Sequence, residues 1–505
     1  MKKSFLLVIL FAAFSLPFFA EQYQIKDYEF DITGVGFAVF GKTKADAILA
    51  NYPIDTTKVF SSNEEFEKYL NNYYEQLTSS RAFQSVEIDY ETVISEFNPD
   101  ILQVYLKFKI EDSHHLLIMP YPTYSSNSGL KLKVKLKDTN FLGTLKPLTL
   151  NLHFDYDDEV FTAGMNFTYD QPFKLGPFDA TWINDYSFDF IIGHYVPEFE
   201  ITTGLEIALP KDRLSYVFGA YQSINKDYDY LDYDDDLYFK EKLSFSVPIK
   251  VYRFSNYTDL IYKPETTFYF YWDFDGIDKK NGSLSGPIAT IGHSLSNSNI
   301  KWNNNFRKGY SVSLSNKYIY NIQRKDFYTT IKLTYKFFNN MLMYEDRDYF
   351  DRFGFYTRIN TFVYLGLPSN VSKYGSEITD SLRGVRDNVK LGPKEEVPGA
   401  IVVNVDLPHH IFSTNFKHDL LNFDLQISPF FDAALIHNWA TGKTFSLIDG
   451  QYCAGVEFLV FPKHWSSYTI RASAGFDLKG VFDSTRIIKG LLHNYEIFIG
   501  LGTEY

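Results

Sequence analysis

The segment Leu382-Arg383-Gly384-Val385 contains the residue whose chemistry organises the rest of the chain, Arg383. It lies in a long polar stretch, residues 368–398, between two strand-like runs. A loop of that length without structure of its own is usually functional or disordered. A guanidinium forms fork-like, charge-assisted hydrogen bonds with carboxylates. We therefore predict that Arg383 is an anchor, a cation that holds this loop in one place through acidic partners.

Two aspartates further along the chain could be these partners. Side chains alternate between the two faces of a strand, and Asp406 and Asp432 both lie in the polar phase of runs in which apolar residues alternate, 401–408 and 421–436. If these strands belong to a barrel in lipid, the apolar face points outward and both aspartates point inward. We expect Arg383 inside the barrel, with Asp432 as one partner and Asp406 as the other. The alternative is an ordinary arginine on a surface loop.

The strands that would position these residues extend over most of the chain. In residues 130–137 four aliphatic side chains alternate with four lysines, as expected of a strand with lipid outside and water inside. Similar runs continue to residue 505, and their number exceeds sixteen by one or two. Aromatic residues make up 18% of the chain, which fits the aromatic girdles of a membrane barrel. Since bacterial barrels have an even number of strands, we predict an antiparallel transmembrane barrel of about 16 strands over residues 114–505.

The chain begins with the features of a secretory signal peptide. Lys2 and Lys3 precede a short apolar run, and the small residue Ala20 follows it. The run is too short for a comfortable membrane-spanning helix. We expect cleavage after Ala20, which would remove residues 1–20.

Residues 23–113 predict a small α+β domain in front of the barrel. Strand-like alternation at both ends encloses two segments with helical periodicity. Thr43 followed by Asp46 predicts the start of the first helix, and a capping box from Ser62 to Glu65 predicts the start of the second. The expected order of elements is β-α-α-β-β.

Together these features resemble the POTRA-plus-barrel outer-membrane superfamily of BamA, TamA and FhaC, the bacterial surface antigen family. Residues 382–385 are similar to its loop motif (Val/Ile)-Arg-Gly-(Phe/Tyr). Residues 404–408 are similar to its Asn-x-Glu-Leu-x-x-Pro strand, and residues 430–433 to its Phe-x-Asp-x-Gly strand. The resemblance implies that Arg383 pairs inside the lumen with the acidic residues of these two strands.

The domain in front of the barrel looks like a single POTRA domain. The resemblance is found at residues 41–44, after the first strand, and at residues 81–86, which enter the second. It implies a periplasmic domain that captures extended polypeptides by pairing along a sheet edge. An unrelated module with the same order of elements is the alternative.

The end of the chain is similar to the recognition signal of outer-membrane barrels, at Phe498, Gly500 and the terminal Tyr505. The resemblance as a whole implies an outer-membrane protein of BamA-like type that assists the insertion, assembly or translocation of polypeptides. Its partners would be unfolded or extended client polypeptides, the lipid bilayer and periplasmic accessory proteins. An FhaC-type secretion pore and a passive porin or adhesive structural barrel are the alternatives.

Other features of the sequence exclude further chemistry. The net charge of −13 argues against a nucleic-acid partner, and the single Cys453 excludes an internal disulfide framework. The acidic stretch 227–236 lacks the glycine and the spacing of a helix-loop-helix calcium site, so we expect a solvated loop there. The sequence contains no nucleophile elbow, phosphate loop or zinc-protease motif. It therefore predicts no enzyme, no metal and no cofactor.

Overall fold

The computed structural model describes residues 22–34, 42–80, 82–96, 98–125, 129–157, 160–193, 196–211, 213–226, 237–254, 258–273, 276–277, 287–303, 305–342, 352–366, 382–383, 397–417, 422–438, 442–463, 468–479 and 495–501. These residues form two compact units, the first ending at Asp112 and the second beginning at Ser113. The expected signal peptide, residues 1–20, lies outside the described residues, as does most of the stretch 368–398.

The first unit is a four-stranded sheet with two helices. Its elements are β1 (Gln22–Gly34), α1 (Ala45–Asn51), β2 (Val59–Phe60), α2 (Asn63–Ser79), β3 (Phe83–Ile94) and β4 (Ile101–Asp112). The strand order is β2-β1-β4-β3, with β1 and β4 parallel and the other two pairings antiparallel. The two-residue strand β2 is additional to the expected β-α-α-β-β order. In the described part of the chain, no helix is both long and apolar enough to cross a membrane.

Helix α2 begins where the capping box predicts. The Ser62 hydroxyl accepts a hydrogen bond from the Glu65 amide at 3.2 Å, and the Glu65 carboxylate accepts one from the Ser61 amide at 3.0 Å. These bonds satisfy amides that have no partner within the helix. The apolar face of the helix packs on the sheet, where the ring of Phe66 stacks on that of Tyr23 with 5.3 Å between centroids.

Helix α1 does not begin as expected. Its N-cap is Lys44, which makes no side-chain capping hydrogen bond. The Thr43 hydroxyl instead donates to Asp112 at 2.6 Å, and the Thr43 amide donates to the same carboxylate at 2.9 Å. A charged acceptor makes the stronger hydrogen bond. Thr43 is therefore bound to a carboxylate distant in the sequence and does not cap the helix as Thr43 and Asp46 predicted.

The second unit is a closed antiparallel β-barrel, which confirms the expected architecture. Its first twelve segments are β5 (Leu116–Ser125), β6 (Gly129–Asp138), β7 (Leu148–Asp157), β8 (Val160–Tyr169), β9 (Gln171–Leu175), β10 (Phe178–Ile191), β11 (Glu198–Pro210), β12 (Ser215–Lys226), β13 (Leu237–Ser246), β14 (Ile249–Arg253), β15 (Asp259–Asp273) and β16 (Gly276–Ile277). The others are β17 (Ile288–Asn303), β18 (Phe306–Asn321), β19 (Asp326–Leu342), β20 (Arg352–Leu365), β21 (Gly399–Asp406), β22 (His409–Ser413), β23 (Phe423–Asn438), β24 (Lys443–Thr444), β25 (Gln451–Pro462), β26 (Ile470–Asp477) and β27 (Tyr495–Leu501). A 3-10 helix, Phe141–Gly143, follows β6.

Five short segments share a position in the wall with a longer one. β9 continues β8 along β10, β14 continues β13 along β15, and β22 continues β21 along β23. In the same way β16 belongs with β17 and β24 with β25. Within the described residues, the 23 segments of the barrel therefore form 18 successive spans. The sequence analysis expected about 16.

Strand β5 explains much of this difference. The first barrel strand expected from the sequence began at residue 130. Residues 116–125 contain Pro120 and Pro122, and proline disfavours strand interiors. The structure nevertheless pairs β5 with β6 over ten consecutive residues, from Leu116 to Ser125. With this strand included, the runs found in the sequence reach an even number.

The barrel has an apolar outer surface and a polar interior. Trp182, Leu243 and Ile291 point outward and are 52%, 58% and 64% exposed. On the opposite face, Lys131 of β6 forms an ion pair with Asp155 of β7 at 2.9 Å. This alternation matches a wall with lipid on one side and polar groups on the other.

Candidate functional site: a buried arginine and the barrel seam

Arg383 is held by two buried aspartates. Its Nε and Nη2 donate to the two carboxylate oxygens of Asp432, at 3.1 and 2.7 Å, and its backbone amide donates to the same carboxylate at 2.9 Å. Its Nη1 donates to Asp406 at 2.6 Å. The arginine is only 5% exposed. With Asp432 it makes the paired hydrogen bonds for which a planar guanidinium is shaped.

The two aspartates come from neighbouring spans of the wall. Asp406 ends β21, and Asp432 lies in the middle of β23, whose Phe430 is the register partner of Asp406. All three side chains are on the buried face of the wall. Phe430 is the apolar exception in the polar phase of this strand, and the structure shows the reason. The guanidinium carbon of Arg383 lies 3.9 Å from the centroid of its ring, within the range of a cation–π contact.

Leu382 attaches the same loop to the wall by apolar contacts. It is buried in a cluster that includes Val397, from the far end of the long stretch, and Ala400 and Cys453 of the wall. Leu382 and Val397 are thus held by burial, whereas Arg383, next to Leu382 in the chain, is held by charge. Together they place the described part of the loop against β21, β23 and β25.

The sequence analysis did not assign Glu457 or Arg471 to this site. Glu457 of β25 lies with its Oε2 3.5 Å from Nη1 of Arg383 and 3.1 Å from Nε of Arg471 on β26. The signal was present in the sequence, because Glu457 alternates with the outward-pointing Val456 and Phe458. No family motif covers this position, so the alternation alone would have had to identify it.

The charges of this cluster depend on one another. Each ion removed from water loses several kcal/mol of hydration, which only close opposite charges restore. Going from Asp432 to Arg383, Glu457 and Arg471, positive and negative groups alternate, so each charge has an opposite neighbour. Such an arrangement is stable when complete and loses several of its contacts when one member is removed. It can hold a loop firmly against the wall.

The barrel closes where its last strand meets its first. β27 and β5 are joined by two register pairs, Phe498 with Ser125 and Ile499 with Tyr124. Seven pairs join β26 to β27, and ten join β5 to β6. Within the described residues, this seam is the shortest junction between neighbouring spans.

Two prolines deprive the β5 side of this seam of hydrogen-bond donors, and residues 126–128 and 502–505, which border the seam, lie outside the described residues. The Thr139 amide donates to the His115 carbonyl at 3.0 Å, and antiparallel strands alternate between residues that bond to one neighbour and residues that bond to the other. Odd-numbered residues of β5 therefore bond to β6, and even-numbered residues face β27. Pro120 and Pro122 are even-numbered and lack a backbone N–H. The edge of β5 that faces β27 is thus missing two donors, and the ladder ends at Tyr124, next to the first of them.

The expected terminal signal lies on β27. The ring of Phe498 lies over Gly500, since a Cβ at Gly500 would come within 2.7 Å of it. The guanidinium carbon of Arg471 lies 4.5 Å from the centroid of the same ring. A side chain at position 500 would displace the phenyl ring, which occupies the space of a Cβ there. Gly384 and Val385 of the loop motif and Tyr505 of the terminal signal lie outside the described residues.

A second segment enters the barrel interior, the turn between β17 and β18. The side-chain amide of Asn305 donates to Asp424 at 2.7 Å, and the Asn305 carbonyl accepts from the side chain of Gln426 at 3.0 Å. The ring of Trp302 lies 6.2 Å from that of Phe461. Strands β23 and β25 are not neighbours of β17 or β18 in the wall. These contacts therefore cross the interior.

Arg307 holds this turn in place. Its guanidinium carbon lies 4.8 Å from the ring of Trp302 and 5.2 Å from that of Phe338, and its amide donates to the Tyr356 hydroxyl at 2.7 Å. The side chain of Arg307 is buried. The described residues thus fill the interior at two places, at this turn and at the Arg383 cluster.

No model of a protein family matches the sequence, and no curated protein matches it. Among solved structures, the chain is similar to BamA from Haemophilus ducreyi lacking POTRA domains 1–3, at 16% identity over 94% of this chain and 84% of that chain, with a TM-score of 0.38. It is similar to CdiB from Acinetobacter baumannii at 11% identity over 95% of this chain and 74% of that chain, with a TM-score of 0.48. It is similar to CdiB from Escherichia coli at 10% identity over 90% of this chain and 72% of that chain, with a TM-score of 0.43. BamA and CdiB are thus structural neighbours of this chain over most of its length.

Proposed function

We propose that this chain is an outer-membrane protein of BamA-like type that assists the insertion, assembly or translocation of polypeptides at the bacterial outer membrane. A closed barrel pairs the backbone groups that lipid would leave unsatisfied, and its apolar outer surface suits the bilayer. In this proposal residues 1–20 are a signal peptide, residues 23–113 a POTRA-like periplasmic domain and residues 114–505 the membrane barrel, with the stretch 368–398 folded into its lumen.

The observation that carries the proposal is the seam between β27 and β5. In lipid each unpaired backbone group costs several kcal/mol. A barrel is therefore expected to open at the junction with the fewest hydrogen bonds, which among the described residues is the junction with two register pairs. An opened seam offers a free strand edge, and an extended polypeptide can pair with such an edge. The seam is thus the place where we expect a client segment to enter the wall.

The first unit offers another edge for a client. In its sheet β3 is the outermost strand beside β4. The Ser95 amide donates to the Ile101 carbonyl at 2.9 Å, so even-numbered residues of β3 direct their backbone groups away from β4. Val93 and Ile94, at the end of this strand, are 53% and 62% exposed. We assign the capture of extended polypeptides to this edge.

The interior argues against a passive porin. A porin barrel of this size leaves a water-filled channel, whereas here Trp302 and Asn305 reach through the interior to β25 and β23, which are not their neighbours in the wall. A secretion pore of FhaC type would use the interior as a path, and this turn would then have to move. Insertion through the seam needs no such movement.

A lockable seam tests the proposal. Tyr124→Cys and Ile499→Cys, in a Cys453→Ala background, place two thiols at one of the seam register pairs, a spacing that suits a disulfide. The purified protein in liposomes is assayed for acceleration of the folding of a second, unfolded barrel protein. We expect acceleration in the reduced protein and its loss on oxidation, with Cys453→Ala alone insensitive to oxidant.

Two outcomes would contradict the proposal. Equal acceleration by the reduced and the locked protein would show that the seam is not used. A large, stable conductance in planar bilayers without any acceleration of folding would favour a pore.

A further inference from the structure

A continuous line of contacts leads from the lumenal loop to the seam. It starts at Arg383, passes through Glu457 of β25 and Arg471 of β26, and ends at the ring of Phe498 on β27. The separations are 3.5 Å from Arg383 to Glu457, 3.1 Å from Glu457 to Arg471 and 4.5 Å from Arg471 to the ring centroid. After Arg383, the line passes from β25 to β26 and from β26 to β27, which are neighbouring strands of the wall.

The line ends on one of the residues that close the barrel. Phe498 is the register partner of Ser125 on β5, in one of the two pairs of the seam. On its other side it is the register partner of Ser473, whose hydroxyl accepts a hydrogen bond from Nη2 of Arg471 at 3.3 Å. The guanidinium of Arg471 therefore contacts both the ring of Phe498 and the residue to which Phe498 is paired.

Glu457 makes the position of Arg471 depend on Arg383. A single oxygen of Glu457, Oε2, faces both guanidiniums, and all three side chains are buried. Both cations attract this oxygen, so the position of Glu457 is set by the two together. When Arg383 withdraws, that oxygen is left to Arg471 alone, and the balance of forces that places Arg471 on Phe498 changes.

We propose that Glu457 and Arg471 are positioning residues that couple the anchoring of the lumenal loop to the pairing of β27 with β5. While Arg383 is bound, Glu457 holds Arg471 on the ring of Phe498, and the ring keeps β27 in register with β5. Release of Arg383 weakens the seam. This inference rests on the proposed function for its significance, but the coupling itself is a property of the isolated barrel.

The test measures the seam without any client. The cysteine pair Tyr124→Cys and Ile499→Cys, in the Cys453→Ala background, is equilibrated in glutathione buffers in detergent. The disulfide-bonded fraction gives the effective concentration of one thiol at the other. This quantity falls when β27 and β5 separate more often. Heat-modifiable migration on gels shows for each variant that the barrel has closed.

Arg383→Ala and Arg471→Gln are each expected to lower the effective concentration about threefold or more, a change typical of residues in one salt-bridge network. The double variant should lower it no further than the stronger single variant, because both act through the same contacts. The matched control is Arg324→Gln, which removes a guanidinium paired with Asp326 in the turn after β18. It should leave the seam unchanged.

Further variants keep the proposal falsifiable if Arg471→Gln fails to close. Gly500→Ala leaves every charge in place but displaces the Phe498 ring, so it should weaken the seam as Arg471→Gln does. Arg471→Lys keeps the attraction to Glu457. Its effective concentration should therefore lie between those of wild type and Arg471→Gln. Independent, additive effects of Arg383→Ala and Arg471→Gln would overturn the coupling, as would an unchanged seam in Arg383→Ala. A coupled seam in a protein that accelerates no folding would leave the inference standing and refute the proposed function alone.

Discussion

Arg383 matters because water cannot replace it at its partners. Asp432 is fully buried and Asp406 nearly so. By contrast, the pair between Arg324 and Asp326, at 3.1 Å, has side chains that are 20% and 29% exposed. An exposed ion pair contributes about 0–1 kcal/mol, whereas removing one member of a buried pair costs roughly 3–5 kcal/mol.

Arg383→Ala should therefore lower the free energy of unfolding by roughly 3–5 kcal/mol, measured by urea titration of the folded band on gels. It should also speed trypsin cleavage after Lys390 and Lys394, since the loop loses its anchor. Arg383→Lys should lie between wild type and Arg383→Ala in both stability and cleavage rate, because it keeps the charge and loses the forked pair of hydrogen bonds. Arg324→Ala is the control and should behave as wild type. Equal cleavage of wild type and Arg383→Ala would mean that the loop is not anchored by this residue.

Period-two alternation was sufficient to predict that Asp406 and Asp432 share the inner face. It could not predict that Phe430 lies under the guanidinium, because a phenyl ring in a polar phase gives no sign of its partner. Arg471 was beyond reach for a similar reason. Its assignment needs the register of β26 against β25, and register comes from turns and pairings that one sequence does not reveal.

At the scale of elements, the start of α2 combines a capping box with an ion pair. A hydrogen bond from Lys58, at 2.8 Å, and bonds from the amide and hydroxyl of Ser61 lower the pKa of Glu65 from 4.5 to about 2. A carboxyl with a lowered pKa stabilises the folded state above the pKa of the unfolded chain. This contribution is lost as the pH falls from about 4.5 towards 2.

Glu65→Gln should reduce hydrogen-exchange protection of residues 62–70 at pH 7 by the equivalent of about 1 kcal/mol, the usual effect of a lost cap. Protection in wild type should decline towards that of the variant between pH 4.5 and 2, measured by mass spectrometry and corrected for intrinsic rates. Glu64→Gln changes the same turn of the helix at a side chain that makes no hydrogen bond to any described residue, so it is the control. A pH-independent difference between wild type and Glu65→Gln would contradict the role of the carboxylate.

The elements that could be predicted from the sequence are those whose signals are local. The strands after residue 130 were predicted from alternation. The start of α2 was predicted from a four-residue motif. At α1 the expected cap Thr43 binds Asp112 instead, which lies far along the chain from it. Strand β5 contains two prolines, which normally mark the absence of an interior strand. It forms a strand here because tertiary pairing with β6 outweighs this local preference.

At the scale of the whole molecule, a barrel with the 18 spans that the described residues form is wide enough to hold water, as porins of 16–18 strands do. In this barrel the turn between β17 and β18 extends into the interior and binds β23 and β25, which are not its neighbours in the wall, through Asn305 and Trp302. The interior was not predictable from alternation, which assigns side chains to a face but says nothing of a turn that leaves the wall. The expected number of strands was low because β5 was not counted as a strand of the barrel.

Wild-type protein should therefore have a small conductance in planar bilayers. Trp302→Ala combined with Arg307→Ala should raise it several-fold, because the ring and the guanidinium that hold the turn across the interior are both removed. The matched control is Trp182→Ala, which removes an outward-pointing indole and should leave the conductance low. An unchanged small conductance in the double variant would show that the turn does not limit the path.

Replacing the two prolines of β5 should strengthen the seam. Pro120→Val with Pro122→Val restores two N–H donors on the edge that faces β27. We expect a higher effective concentration for the cysteine pair at positions 124 and 499 and a higher temperature for loss of the folded band. The acceleration of client folding should be smaller than in wild type. The comparable change Pro429→Val, on β23, adds no donor at the seam and serves as control. A seam unaffected by the double replacement would show that the missing donors do not limit its length.

The same prolines make the two edges of an open barrel unequal. An exposed strand edge attracts any other edge, and proteins guard against such unintended pairing with proline. When β27 and β5 separate, the described part of β27 contains no proline, whereas β5 has gaps in its row of donors at positions 120 and 122. Two open barrels would therefore associate poorly through their β5 edges, and a client segment would find its more complete partner in β27. In the proposed function, the donors missing from β5 would thus direct a new strand to the other side of the seam.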